Sequence, residues 1–101
     1  MKEKYVSLKA EMFHFEKWIS ITNPETLKSN FNDFLVNSGF TIVNFTEHYF
    51  PIKGYTCVWV LAESHLAIHT FPQKNTSYIQ ISSCNLEKLE HFKTVLKNIK
   101  I

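Results

Sequence analysis

A chain of 101 residues, 45% hydrophobic and 20% charged, fits one globular domain, 1–101, with a modest core. A formal charge of +2, carried by scattered lysines with no arginine at all, speaks against a nucleic-acid partner, which usually meets Arg and a basic stripe. Two cysteines make no disulfide framework, and MKEKYVSLKAEMFHF carries charges where a leader would be apolar, so the expectation is a cytoplasmic protein with reduced thiols and no membrane partner.

YVSLKAEMFHF, 5–15, alternates as a first strand. Tyr5, Ser7, Lys9, Glu11 and Phe13 lie on one face; Val6, Leu8, Ala10 and Met12 lie on the other, expected to be the core face. Asn23-Pro24-Glu25 starts a helix, with Asn as cap and Pro at the first position. Leu27, Phe31, Phe34, Leu35 and Ser38 keep helical spacing until Gly39 ends it. Residues 40–50 read as strand, with Phe40, Ile42 and Asn44 opposite Thr41, Val43 and Phe45. Pro51-Ile52-Lys53-Gly54 is a turn. Strands follow over 55–63, 66–71 and 78–84, the last two separated by a turn at Lys74–Ser77. Asn85 then caps a helix with an apolar stripe of Leu86, Leu89, Phe92, Val95, Leu96 and Ile99. The order β, α, β, β, β, β, α with short turns implies an α+β fold: a two-layer α/β sandwich, its antiparallel sheet carrying both helices on one face.

The stretch LAESHLAIHTFP, 61–72, places an acid, a hydroxyl and two imidazoles in a mostly apolar run. Three chemistries suit it. Ser64, His65 and His69 can be satisfied polar residues near strand ends. His65 and His69, with Cys84, can be metal ligands, but on a strand a four-residue separation is about 13 Å, and no acid or cysteine closes the set, so no metal is expected. The third is a bond that breaks itself. The Ser64 hydroxyl attacks the Glu63 carbonyl, the amide becomes an ester, and elimination leaves a pyruvoyl group at a new N-terminus. Such chemistry asks for a strained or hydrogen-bonded turn and a histidine base.

Residue spacing leaves these open. The segment Ala62-Glu63-Ser64-His65, with Ile68-His69-Thr70, Pro72 and Cys84, resembles the bacterial S-adenosylmethionine decarboxylase family, the small pyruvoyl-dependent proenzyme type. Ala10-Glu11, His48, Phe50 and Gly54 extend the resemblance to nearly the whole chain. The resemblance implies cleavage between Glu63 and Ser64 into a β chain, 1–63, and an α chain, 64–101. Ser64 becomes the covalent pyruvoyl cofactor, which holds the substrate as a Schiff base; His69 is the processing base, Cys84 the proton donor, and Thr56 stands where the family has a processing serine. A place before the Asn85 cap suggests a lowered Cys84 pKa. Phe50 and Phe71 match the adenine-stacking pair, Phe71 in place of the usual Trp. Gln73 replaces an acid expected on the ribose, Gln80 an Asp, and Ser83-Cys84-Asn85 a Thr-Cys-Gly pattern; the turn Lys74–Ser77 lacks the usual glycine. The implied activity is decarboxylation of S-adenosylmethionine for spermidine and other polyamines, by a homodimer of αβ units. Two alternatives stand beside it: a pyruvoyl-dependent ornithine or arginine decarboxylase, with Glu11 or Glu47 facing the basic side chain, and an uncleaved, non-catalytic regulatory homologue. Cys57 and His65 receive no role.

Overall fold

The computed structural model of the protein describes residues 10–98. Its elements are β1 (Phe13–Ile19), α1 (Pro24–Asn37), β2 (Ile42–Tyr49), β3 (Tyr55–Leu61), β4 (Ser64–Phe71), a 3₁₀ turn (Pro72–Lys74), β5 (Thr76–Ser83) and α2 (Leu86–Lys97). The five strands form one sheet in the order β1-β5-β4-β3-β2, antiparallel at every pairing. Both helices begin where the sequence places their caps. Asn23 Oδ1 accepts the Thr26 N–H at 3.0 Å and Asn85 Oδ1 the Lys88 N–H at 2.9 Å, each satisfying a donor the first turn leaves unpaired. Gly39, at φ +90°, takes the left-handed conformation that lets the chain leave α1.

The core lies between the helices and one sheet face. Leu27, Phe31, Phe34 and Leu35 of α1 and Leu89, Phe92 and Leu96 of α2 are buried against Tyr55, Cys57, Trp59, Leu66, Ile68, Ile79 and Ile81. Phe31 and Phe92 join the two helices, ring centroids 6.3 Å apart, and Trp59 donates its indole N–H to Asn32 of α1 at 3.3 Å. The sandwich with both helices on one face is therefore the fold expected. Residues paired across strands share a face, so the register also fixes what lies on the uncovered side. One row there is His48, Thr56, His69, Tyr78 and Trp18; another is Val60, His65, Ser82 and His14.

Three sequence expectations change. The first strand is β1, displaced toward 13–19 from 5–15, and its core face is the other one. Phe13 and Phe15 pack on the core and Ile19 is buried, while Ala10 and Met12 are exposed; Tyr5 to Lys9 lie outside the described residues. Lys17, which shares the core-side row of Phe15 and Ile19, and solvent-facing Trp18 together hide the true alternation. In β2 the register shifts between Ile42 and Asn44. That bulge moves the following residues to the opposite face, so Phe45 joins Ile42 on the core side and meets Trp59 at 4.8 Å, while Val43 is exposed. In α2 the buried stripe begins at Leu89; Leu86 in the first turn is exposed, and Ile99 lies outside the described residues.

Candidate active site

β3 and β4 are joined by two residues, Ala62 and Glu63, with Leu61 paired to Ser64. So tight a hairpin twists its strands correctly when a turn residue takes positive φ. Glu63 does so at +61°, a conformation costing a side-chain-bearing residue about 1–2 kcal/mol. The bond between Glu63 and Ser64 thus sits in a strained turn that carries no Gly or Pro to announce it.

Ser64 opens β4 with its side chain on the helix side, 9% exposed, and donates to Ser83 Oγ at 2.8 Å. Ser83 in turn accepts the Asn85 N–H at 2.9 Å. Cys84, next along, is exposed and donates its thiol to Glu63 Oε1 at 3.1 Å. The Glu63 carboxylate, helped by desolvation, pushes the Cys84 thiol above its ordinary range; Lys88 and a backbone hydrogen bond pull the other way and lose. The lowered value expected from the helix start is therefore corrected, because a direct hydrogen bond to an anion outweighs a dipole a turn away. Cys84 and Glu11, with Ala10 and Met12, line an open cavity of about 390 Å³.

The opposite end of the sheet holds the other predicted residues. Thr56 pairs with His69 across β3 and β4, and Thr56 Oγ1 lies 3.0 Å from His69 Nδ1, where its hydroxyl can donate to a neutral ring. Phe71 meets Trp18 at 5.8 Å, which meets Tyr78 at 5.0 Å; Tyr78 donates its hydroxyl to Glu16. Phe50 lies edge-on to His48 at 4.6 Å, beside Gly54. Phe50 and Phe71 thus stack on different neighbours. Gln73 is exposed in the 3₁₀ turn. The glycine missing from Lys74–Ser77 is replaced by Asn75, which takes φ +52°, as Asn tolerates better than most residues.

The predicted machinery therefore divides in two. Glu63, Ser64, Cys84 and Glu11 share one end; Thr56, His69, Phe50, Phe71 and Gln73 share the other. Ser64 and His69 are five residues apart on β4, about 16 Å along a strand, with side chains on opposite faces. Within one chain the proposed base and nucleophile do not meet. Glu47 lies toward the Thr56–His69 end but on the helix side of the sheet. It accepts from the Tyr55 hydroxyl at 2.6 Å and from Lys28 at 2.9 Å, and these contacts, Tyr55 first, hold its carboxyl below the usual range. Cys57 is buried and its thiol is pushed up to about 11 by burial, as suits a core residue without chemistry. His65, on the uncovered face, is exposed. Among the described residues no cluster of three or more His, Cys, Asp or Glu side chains is placed to hold a metal ion, and no helix is long and apolar enough to cross a membrane.

Sequence reasoning missed Ser83 as the partner of Ser64, the side chain of Glu63 as the partner of Cys84, and the Trp18–Tyr78–Glu16 group beside Phe71. Their signal is the strand register, of β4 against β5 for Ser83 and Cys84 and of β1 against β5 for Trp18.

The family model for S-adenosylmethionine decarboxylase matches residues 7–100. The chain is 32% identical to the S-adenosylmethionine decarboxylase proenzyme of Thermotoga petrophila, over 96% of this chain and 78% of that one. It is 31% identical to the proenzyme of Thermotoga maritima over the same shares. A crystal structure of the adenosylmethionine decarboxylase from Aquifex aeolicus superposes with a TM-score of 0.68, at 19% identity, over 89% of this chain and 83% of that one, which establishes the common fold. With the Glu-Ser turn and its cysteine in place, and a family match spanning nearly the whole chain, the protein belongs to the S-adenosylmethionine decarboxylase family of pyruvoyl-dependent lyases.

Proposed function

We propose that the chain cleaves itself between Glu63 and Ser64 and then decarboxylates S-adenosylmethionine, as a cytoplasmic homodimer supplying aminopropyl groups for spermidine and other polyamines. The observation that carries this reading is the strained Glu63 turn beside Ser64 and Cys84. The Ser64 Oγ adds to the Glu63 carbonyl carbon and the C–N bond breaks, giving an ester and a free amine. Removal of the Ser64 α-proton expels Glu63 as a carboxylate. Water then replaces the nitrogen, which leaves as ammonia, and residue 64 carries a ketone. That pyruvoyl group supplies an electrophile for the substrate amine and an electron sink for loss of carbon dioxide. Ser83, whose hydroxyl accepts from Ser64 Oγ, orients that hydroxyl for its attack in the uncut chain. Cys84 is the acid that returns a proton to carbon, and Glu11 lines the cavity it faces.

The base is His69, held by Thr56, and it comes from a second copy. Two sheets laid with uncovered faces together and strands reversed bring the Thr56–His69 end of one against the Ser64–Cys84 end of the other, where the base is to act on the Ser64 α-proton, since the Ser64 side chain itself lies on the helix side. The site is then incomplete in a monomer, and each dimer carries two. Phe50 and Phe71 supply aromatic faces for a nucleobase or a sulfonium cation. Mass spectrometry of the purified chain tests the cleavage: the expected products end at Glu63 and begin with a pyruvoyl-blocked residue 64, and one intact chain after long incubation overturns the enzyme reading in favour of an uncleaved homologue.

A second reading keeps the chemistry and changes the substrate to ornithine or arginine. What favours it is Gln73, exposed and uncharged where an acid would hold a ribose, together with Glu11 in the cavity; Glu47, tied to Tyr55 and Lys28, no longer serves. Release of labelled carbon dioxide from each substrate decides, and release from the amino acids alone rejects S-adenosylmethionine.

A further inference from the structure

Glu63 enters the chemistry above only through its backbone, as the carbonyl side of the scissile bond. Its side chain is placed for something else. Because Glu63 takes positive φ in a two-residue turn, it leaves the strict alternation of the flanking strands. Its carboxylate reaches across the sheet end to Cys84, the residue after β5, at 3.1 Å. A carboxylate can only accept, so the shared proton stays on sulfur.

We propose that Glu63 is a positioning residue whose carboxylate holds Cys84 as the neutral, correctly aimed thiol before and after the cut. The role of Cys84 as proton donor rests on the function proposed above; the control of its proton by Glu63 does not. Two of the surrounding influences favour the anion, while desolvation sides with Glu63. Lys88 stands in the first turn of α2, a backbone hydrogen bond reaches the sulfur, and Glu63 is the main group opposing them. The chemistry requires this sign. A thiolate beside an electrophilic carbonyl is a nucleophile that can add to it, and it has no proton to give; a thiol has the proton and is a weak nucleophile. The cut does not remove the side chain, which stays on residue 63, two residues from the end of β3.

The test reads the thiol directly, without turnover. The full-length Ser64→Ala chain, which keeps residues 63 and 64 joined, is alkylated with iodoacetamide across pH 6–11, and the Cys84 peptide is followed by mass; buried Cys57 is the internal control. The midpoint for Cys84 is expected above the ordinary thiol value of about 8.5. Adding Glu63→Gln, which keeps an acceptor oxygen but not the charge, should lower the midpoint by about one unit, a roughly tenfold faster reaction near neutral pH. Glu63→Asp should stay nearer the parent. An unchanged midpoint in Glu63→Gln overturns the proposal. So does a parent midpoint at or below the ordinary value, a measurement that stands even if the double variant does not fold. In the processed enzyme with Ser64 intact, Glu63→Gln should lose activity at lower pH than the parent on the alkaline side. A lowered midpoint without any carbon dioxide release would reject the proposed function and keep this inference; release with an unchanged midpoint would do the reverse.

Discussion

At the scale of single residues, the hydroxyl of Ser83 is the contact with the sharpest consequence. It accepts from Ser64 and is itself fixed by the Asn85 N–H, so the proposed nucleophile is oriented through one hydrogen bond to a residue that is itself held. Ser83→Ala should slow cleavage at least tenfold, a loss of about 1.4 kcal/mol or more of orientation, while Ser83→Thr, which matches the family pattern, should cleave at nearly the parent rate; the rate is read from the appearance of the 1–63 product by mass. A rate unchanged in Ser83→Ala would remove Ser83 from the machinery. Glu47 gives a second residue-scale prediction, about stability. Tyr55 and Lys28 hold its folded pKa below the unfolded one, so its contribution is present above the ordinary carboxylate range and lost as pH falls through the depressed value. The melting temperature of Glu47→Gln should therefore lie below the parent at pH 7, and the gap should narrow as the pH is lowered below the ordinary carboxylate range.

At the scale of elements, the helices were legible in the chain and the strands only in part. Asn23-Pro24 and Asn85 declare their helices because a cap is local chemistry, complete within four residues. Asn23→Ala should accordingly cost about 1 kcal/mol of stability in a denaturant melt and leave cleavage untouched, since α1 begins at the sheet end away from Ser64 and packs on the sheet face opposite His69. The strands depend on partners. β1 could not be phased from its own residues, because Lys17 shares the core-side row and Trp18 faces solvent. The bulge in β2 reverses parity with no Gly to mark it. The Glu-Ser turn was legible as chemistry and not as geometry. Its sequence names the scissile pair, but only the pairing of Leu61 with Ser64 shows that the pair sits in a two-residue hairpin. The split of the site into two ends was hidden for the same reason: Ser64 and His69 read as close neighbours along the chain and are far apart along a strand.

At the scale of the whole molecule, the proposed chemistry and the division of the site together call for a dimer. Ser64→Ala and His69→Ala should each fail to cleave alone. Unfolded together in equal amounts and refolded, they should recover cleavage at about one quarter of the parent level, because half the dimers are mixed and one of their two sites is whole. No recovery would place nucleophile and base in the same chain. The hairpin between β3 and β4 has a different consequence if it is cut as proposed. The sheet order β1-β5-β4-β3-β2 puts β4 and β5, the strands of the 64–101 piece, between β1 and β3 of the 1–63 piece. The cut breaks no ladder and leaves two chains interleaved, each gripping the other along two seams. Folding before the cut is a unimolecular search; reassembly after it is a bimolecular one, slow at low concentration and exposed to aggregation. The mature protein would hold a shape it could reach only as a single chain, and heating it would be a one-way event where heating the Ser64→Ala chain is reversible.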